Sequence, residues 1–199
     1  MCLFIETIRI EKGKAVNLSY HEQRLNATYR HIFGNILPAK EICLANHVCP
    51  APDMDNMKCR VIYGRNGITE ITYTPYIIRP IRSLRMVYDD DIEYAYKSTD
   101  RTSLNRLFAR RGQQDDILII RHGLLTDTSI ANIALFDGAH WHTPCHPLLQ
   151  GTCRASLIDL GVLHEADITP DMLSRFSRAR LFNAMTGWGT VELDTKDIL

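Results

Sequence analysis

Short runs of β-branched and aromatic residues recur along the whole chain, and helical stretches interrupt them in no regular alternation. Clean strand–helix–strand repeats would build a parallel sheet; irregular mixing favours an α+β fold. Residues 2–10 read as a strand, and Glu11-Lys12-Gly13-Lys14 turns the chain back. Leu25, Tyr29 and Ile32 recur at helical spacing, which predicts a helix over 20–33 closed by Gly34. A weaker helix is expected over 39–47. A hairpin is expected from 57–63 and 68–78 around Arg65-Asn66-Gly67. Another strand falls between Pro80 and Asp91, and the chain is expected to divide there into a smaller N-terminal lobe, 1–82, and a C-terminal lobe, 83–199. In the second part the expected strands are a short one before Lys97, Ile117–Ile120, 130–136, 140–143 ended by Pro144, and one closing at Leu181-Phe182. Helices are expected near 101–111, over 153–160 up to Gly161, and over 170–178 from Thr169-Pro170.

At 199 residues the chain can bury a sizeable core without disulfides or metals. Its 23 basic and 23 acidic residues cancel, which argues against nucleic acid or a membrane surface as the main partner. No apolar run is long enough to span a bilayer, and the start lacks the basic region of a signal peptide. Six scattered cysteines without a CxxC pair fit the reducing cytoplasm.

Against this ordinary background, three features follow one another at wide intervals. Lys97 sits among Tyr94, Tyr96 and Ser98; a lysine partly desolvated beside aromatics is a usable nucleophile. Asp127 is expected in a polar turn between two apolar strands, with Asn132 placed to orient that loop or a ligand. Gly151-Thr152-Cys153-Arg154 opens a helix, where unsatisfied N–H groups suit a phosphate. Asn183-Ala184, after an apolar strand, could add further donors. Arg24 falls in the first turn of the early helix, and a guanidinium bonds two phosphate oxygens at once. Taken singly, these are a surface lysine, a turn aspartate, a capped helix and a solvated arginine. As a series, amine, carboxylate and anion-binding helix start are what pyridoxal 5'-phosphate needs. His140, His142, Cys145 and His146 are metal-ligand types, but their spacing fits no zinc pattern, and no metal is expected.

These segments, with Phe4–Arg9, His21–Leu25, Thr143-Pro144 and Phe182–Met185, run in an order that resembles the class IV (fold type IV) pyridoxal-phosphate enzymes. That family includes branched-chain and D-amino-acid aminotransferases and 4-amino-4-deoxychorismate lyase. The resemblance implies a two-lobed fold with a shortened N-terminal lobe, usually a homodimer. It implies Lys97 as Schiff-base lysine and proton shuttle, Asp127 at the pyridine nitrogen and Arg24 at the phosphate. Thr152, Cys153, Asn183 and Ala184 are implied as further phosphate contacts. The family usually has glutamate where this chain has Asp127; the charge is kept on a side chain one methylene shorter.

Within the family, Thr7 in Phe4-Ile5-Glu6-Thr7-Ile8-Arg9 and the run Asn183-Ala184-Met185 look lyase-like. The expectation by analogy is a lyase that splits 4-amino-4-deoxychorismate into pyruvate and 4-aminobenzoate, in folate biosynthesis beside an aminodeoxychorismate synthase. Arg9, Arg60 and Arg101 are candidate clamps for substrate carboxylates. A class IV aminotransferase is the alternative, and a degenerate non-catalytic relative the second.

Overall fold

A computed structural model describes residues 2–34 and 41–199, and the chain folds as two compact units. The first comprises residues 1–78 together with 96–100. It contains β1 (Phe4–Glu11), β2 (Lys14–Ala15), α1 (Leu18–Phe33), a 3-10 turn at Leu44–Asn46, β3 (Met57–Gly64) and β4 (Gly67–Pro75). The strands form one antiparallel sheet in the order β2-β1-β3-β4.

The alternation along β1 decides which face is covered. Phe4, Glu6, Ile8 and Ile10 are buried, and the residues between them are half-buried. Leu25 and Tyr29 of α1 join Phe4, Ile8, Ile10, Cys59, Val61 and Tyr63 in a single core. Each fully buried large apolar side chain there is worth about 1.5–3 kcal/mol. The turn from β1 to β2 has φ +48° at Lys12 and +70° at Gly13. At Gly13 a Cβ would lie 2.8 Å from Cα of Pro52, so the neighbouring loop excludes any side chain as well.

The second unit comprises 79–95 and 101–199. It contains β5 (Leu84–Tyr88), α2 (Thr102–Phe108) with a 3-10 turn at Ala109–Arg111, β6 (Asp116–Arg121), β7 (Leu124–Thr128), β8 (Asn132–Phe136) and β9 (Trp141–Pro144). Then follow α3 (Thr152–Asp159), β10 (Leu163–Ala166), a 3-10 turn at Pro170–Arg175, β11 (Arg178–Phe182), β12 (Val191–Asp194) and a 3-10 turn at Thr195–Asp197. The sheet runs β10-β9-β8-β7-β6-β5, with β11 also paired to β8 and β12 to β11. The pairs β9–β10 and β5–β6 are parallel and the rest antiparallel. β6 is buried from Asp116 to Ile120, which explains its unbroken apolar run. Leu199 N–H donates to Leu84 O and Met86 N–H to Leu199 O, so the last residues cover the edge of β5.

The α+β expectation holds, and several local expectations do not. The units divide at 78/79, not 82/83, and the Lys97 segment packs with the first unit. The reason is backbone pairing: Ile5 N–H donates to Lys97 O at 2.9 Å, Thr99 N–H donates to Leu3 O at 3.0 Å, and Ser98 bridges Phe4. Residues 93–96 form no strand. The helix expected over 39–47 begins outside the described residues and elsewhere is only the Leu44–Asn46 turn. That expected over 170–178 is a 3-10 turn ending at Arg175. Strands β2, β10 and β12 were not expected; each has only two to four residues, too few for a periodicity to show.

Candidate active site

In the first unit, pairing fixes which side chains share a face. Lys97 lies opposite Ile5, and Thr7 lies opposite Arg60 across β1 and β3. Directly paired residues point the same way, and alternate residues of a strand share a face. Thr7, Arg9, Lys58 and Arg60 therefore occupy one face of this sheet, the face away from α1, while Lys97, in a tight turn at the free edge of β1, is close enough for its charge to act on His21. All are half-buried. Arg9 pairs with Glu11.

The covered face holds a charged cluster. Glu6 and His21 are fully buried, and the Arg24 side chain is 14% exposed. Arg24 grips Glu6 with both arms of its fork: Nε donates to Oε1 at 3.0 Å and Nη2 to Oε2 at 2.6 Å. His21 Nδ1 lies 2.6 Å from Oε2. A charged carboxylate only accepts, so Nδ1 carries the hydrogen. Burial would raise the Glu6 carboxyl, but the Arg24 charge and the His21 hydrogen bond more than offset it and hold it at about 2. Burial pushes His21 the other way, toward its neutral form, against the Glu6 hydrogen bond and charge; the positive charges of Arg24 and Lys97 add to the lowering.

In the second unit, Asp127 is not in a turn. It lies on β7, directly opposite Asn132 of β8, and both are buried. Threonines make a strand of this polar stretch: Thr126 Oγ1 donates to Ile119 O and Thr128 Oγ1 to Ala131 O. Asn132 Nδ2 donates to Asp127 Oδ1 at 2.8 Å and to Leu149 O at 3.0 Å, while Leu149 N–H donates to Asp127 Oδ2 at 2.9 Å. Burial pushes the Asp127 carboxyl up to about 6, against the lowering from those hydrogen bonds and the Arg154 charge.

Two residues beyond Leu149, Gly151 caps α3 with no side-chain cap bond. Its backbone is ordinary, with φ −69°, but a Cβ there would fall 1.9 Å from Asn132 Oδ1. Glycine is required by the neighbour, not by the torsion. The first intrahelical bond runs from Ala155 N to Gly151 O, so the N–H groups of Thr152, Cys153 and Arg154 precede it. Both Thr152 and Cys153 are buried, and the Cys153 side chain packs with Ala134, Leu157, Leu163 and Phe182, leaving its backbone as the donor. Arg154 donates to Pro144 O and pairs with Glu165, which ties α3 to β9 and β10.

Asn183 is engaged in its own turn. Its side chain accepts from Met185 N and Thr186 N and donates to Ile130 O, and its N–H donates to Thr186 Oγ1. Ala184 sits half-buried inside that turn. Arg101 donates to Ser129 O at 2.7 Å and stacks over Tyr94. Among the described residues no three His, Cys, Asp or Glu side chains could share a metal ion; His142 instead bonds Asp137.

Sequence reasoning did not single out Glu6, His21 or Leu149. Glu6 had a readable signal, a carboxylate in the buried register of an alternating strand, with His21 and Arg24 three apart on one helix face. Leu149 acts through its backbone and had none.

The chain matches the family model of amino-transferase class IV over residues 3–193. An uncharacterized protein of Haemophilus influenzae is 36% identical over 183 residues, 92% of this chain and 97% of that one. A solved structure from Haemophilus somnus, provisionally named 4-amino-4-deoxychorismate lyase, superposes with TM-score 0.84 at 32% identity, covering 94% of this chain and 98% of that one. A hypothetical aminotransferase of Mycobacterium tuberculosis in its PLP-bound form shares the fold, with TM-score 0.75 at 16% identity over 98% of this chain and 81% of that one.

Proposed function

The chain belongs to the class IV aminotransferases, a family of pyridoxal-phosphate-dependent enzymes, and from that premise we propose that it is a 4-amino-4-deoxychorismate lyase using pyridoxal 5'-phosphate. The observation that carries the cofactor is Asp127. A buried, acceptor-only carboxylate pushed up to about 6 is suited to a cationic N–H donor, and a protonated pyridine nitrogen is one. Asn132 and Leu149 hold that carboxylate in place. The uncapped start of α3 and the guanidinium of Arg24 suit the phosphate, through the N–H groups of Thr152 and Cys153 and charge-assisted hydrogen bonds.

When bound, the cofactor supplies an electron sink for the carbon that carries the substrate amine. Lys97 Nζ would be the amine that holds the cofactor and, once freed by the substrate amine, the base that takes the proton from that carbon. Thr7, two residues along β1 from the Ile5 that Lys97 pairs with, has a hydroxyl that can hold or hand on a proton. Arg60 lies directly across from Thr7, with Arg9 beside them, so the same face offers guanidinium groups to a substrate with two carboxylates. With that proton gone, the enolpyruvyl oxygen leaves the neighbouring ring carbon, the ring becomes aromatic as 4-aminobenzoate, and the enolpyruvate takes up a proton to become pyruvate. The likeness to the Haemophilus somnus protein, which extends over nearly both chains, supports the lyase over an aminotransferase. On this reading the chain works as a homodimer in the cytoplasm, on substrate made by an aminodeoxychorismate synthase.

The test is borohydride reduction of the purified protein with added cofactor, then a peptide map, then product assays. A cofactor mass on the Lys97 peptide is expected, with pyruvate and 4-aminobenzoate formed only from aminodeoxychorismate. Keto acid made from an ordinary amino acid alone would move the assignment to an aminotransferase. No adduct would remove the cofactor.

A further inference from the structure

We propose that Glu6, braced by His21, is a positioning residue that fixes the guanidinium of Arg24 for the cofactor phosphate; this rests on the cofactor reading above. Glu6 occupies the third position of β1, in register with Phe4, Ile8 and Ile10, where an apolar side chain would complete the core. A carboxylate is costly there unless paired. Nothing in packing β1 against α1 requires a charge at this point. What the carboxylate does achieve is geometric. Both oxygens engage one edge of Arg24, Nε and Nη2, and so set the plane of the guanidinium.

An arginine left to itself samples many rotamers, and an anion that binds it must order them. Arg24 is ordered beforehand, through a pairing entirely within the first unit. His21 adds the brace. It stands three residues before Arg24 on the same helix face, and its Nδ1–H fills a second acceptor position on Oε2. Because burial keeps it neutral, it steadies Glu6 without adding a positive charge that would compete with Arg24. The Glu6 charge itself weakens the pull of Arg24 on an anion, so orientation and charge act in opposite directions. Orientation prevails, so loss of the Glu6 carboxylate weakens the hold on a phosphate.

A purely structural staple between β1 and α1 would serve any ligand equally, whereas a brace on a phosphate-binding arginine serves only a ligand with a phosphate. The experiment therefore compares pyridoxal 5'-phosphate with pyridoxal on the full chain. Both are titrated by visible absorbance, and the fraction fixed to the Lys97 peptide by borohydride is measured. In Glu6→Gln, the preference for the phosphorylated form is expected to fall at least about tenfold, the lower end for a hydrogen bond to a charged group, with pyridoxal binding unchanged. In an Arg24→Ala background, Glu6→Gln should change that preference no further. A preference that stays intact in Glu6→Gln, rises, or falls equally for both ligands overturns the proposal. Should Glu6→Gln fail to fold, Glu6→Asp keeps the charge on a shorter stem. An intermediate preference is then expected, and an unchanged one is the overturning result. Wild-type protein that takes up neither ligand overturns the cofactor reading itself, and the role of Glu6 with it; uptake of both by wild type isolates the question to Glu6.

Discussion

Glu6 and Asp127 are both buried carboxylates on strands, and their acidities differ by about four pH units, at about 2 and about 6. Burial acts on both alike, raising the carboxyl, so burial does not explain the difference. The partners do. Glu6 has the two-armed grip of Arg24, a full positive charge at hydrogen-bond distance. Asp127 has Asn132 and the Leu149 N–H, good donors without charge, while Arg154 contributes only at a distance. One unit carries its counter-charge within the fold. The other holds a buried carboxylate among neutral donors, which on the proposed function is where the cationic ring would bind.

Removing the counter-charge from Glu6 is the strongest way to break the contrast. Arg24→Ala removes the guanidinium from a buried carboxylate, and a loss of about 3–5 kcal/mol is expected in urea unfolding monitored on the first unit. Acid should expose the contrast too. Asp127 has a folded value above its ordinary 3.8, so its charge weakens the cofactor-free fold above about pH 6 and the penalty fades as the pH falls to 4. The difference in unfolding free energy between wild type and Asp127→Asn should shift by about 3 kcal/mol over that window, and saturating cofactor should abolish the shift. The first unit runs the other way. The stabilising contribution of Glu6 is present above its ordinary 4.5 and is lost as the pH falls toward 2, and that of His21 is present above its ordinary 6.5 and is lost as the pH falls below it.

Gly151→Ala should have a smaller effect. Its Cβ would displace the Asn132 amide, and a strain of about 1–3 kcal/mol is expected in thermal unfolding, with weaker cofactor binding as Asp127 loses its brace. Asp116 supplies an intermediate case. It is fully buried and paired to Arg79, but Arg79 is nearly half exposed. Burial leads and raises Asp116, against Ser129, the Ile117 N–H and Arg79. Arg79→Ala should cost less than about 1 kcal/mol by chemical denaturation, because water screens the charge of a half-exposed cation.

Much of the fold was legible because it is written locally. The alternation of β1, the spacing of Leu25 and Tyr29, and the Asn66-Gly67 turn each specify one element from adjacent residues. Lys97 and Asp127 were legible as residues but not as places. The lysine finds its strand partner more than ninety residues upstream, which no window reveals. The stretch Leu124–Thr128 reads as polar loop because its threonines and Asp127 look solvated; they are buried and bonded instead. Arg24 was picked out for its fork, but the carboxylate that engages the fork was passed over as one more strand residue.

The chain passes between its two units three times, after 78, 95 and 100. Lys97 thus reaches the first unit on a five-residue excursion whose flanks belong to the second. Neither unit is a module that recombination could move by a single cut. A fusion carrying residues 1–78 would inherit the arginine and its brace without the amine. One carrying 101–199 would inherit the waiting carboxylate and the helix start alone. On the proposed function, only a piece that keeps 1–100 and 101–199 together carries the arginine, the amine, the carboxylate and the helix start.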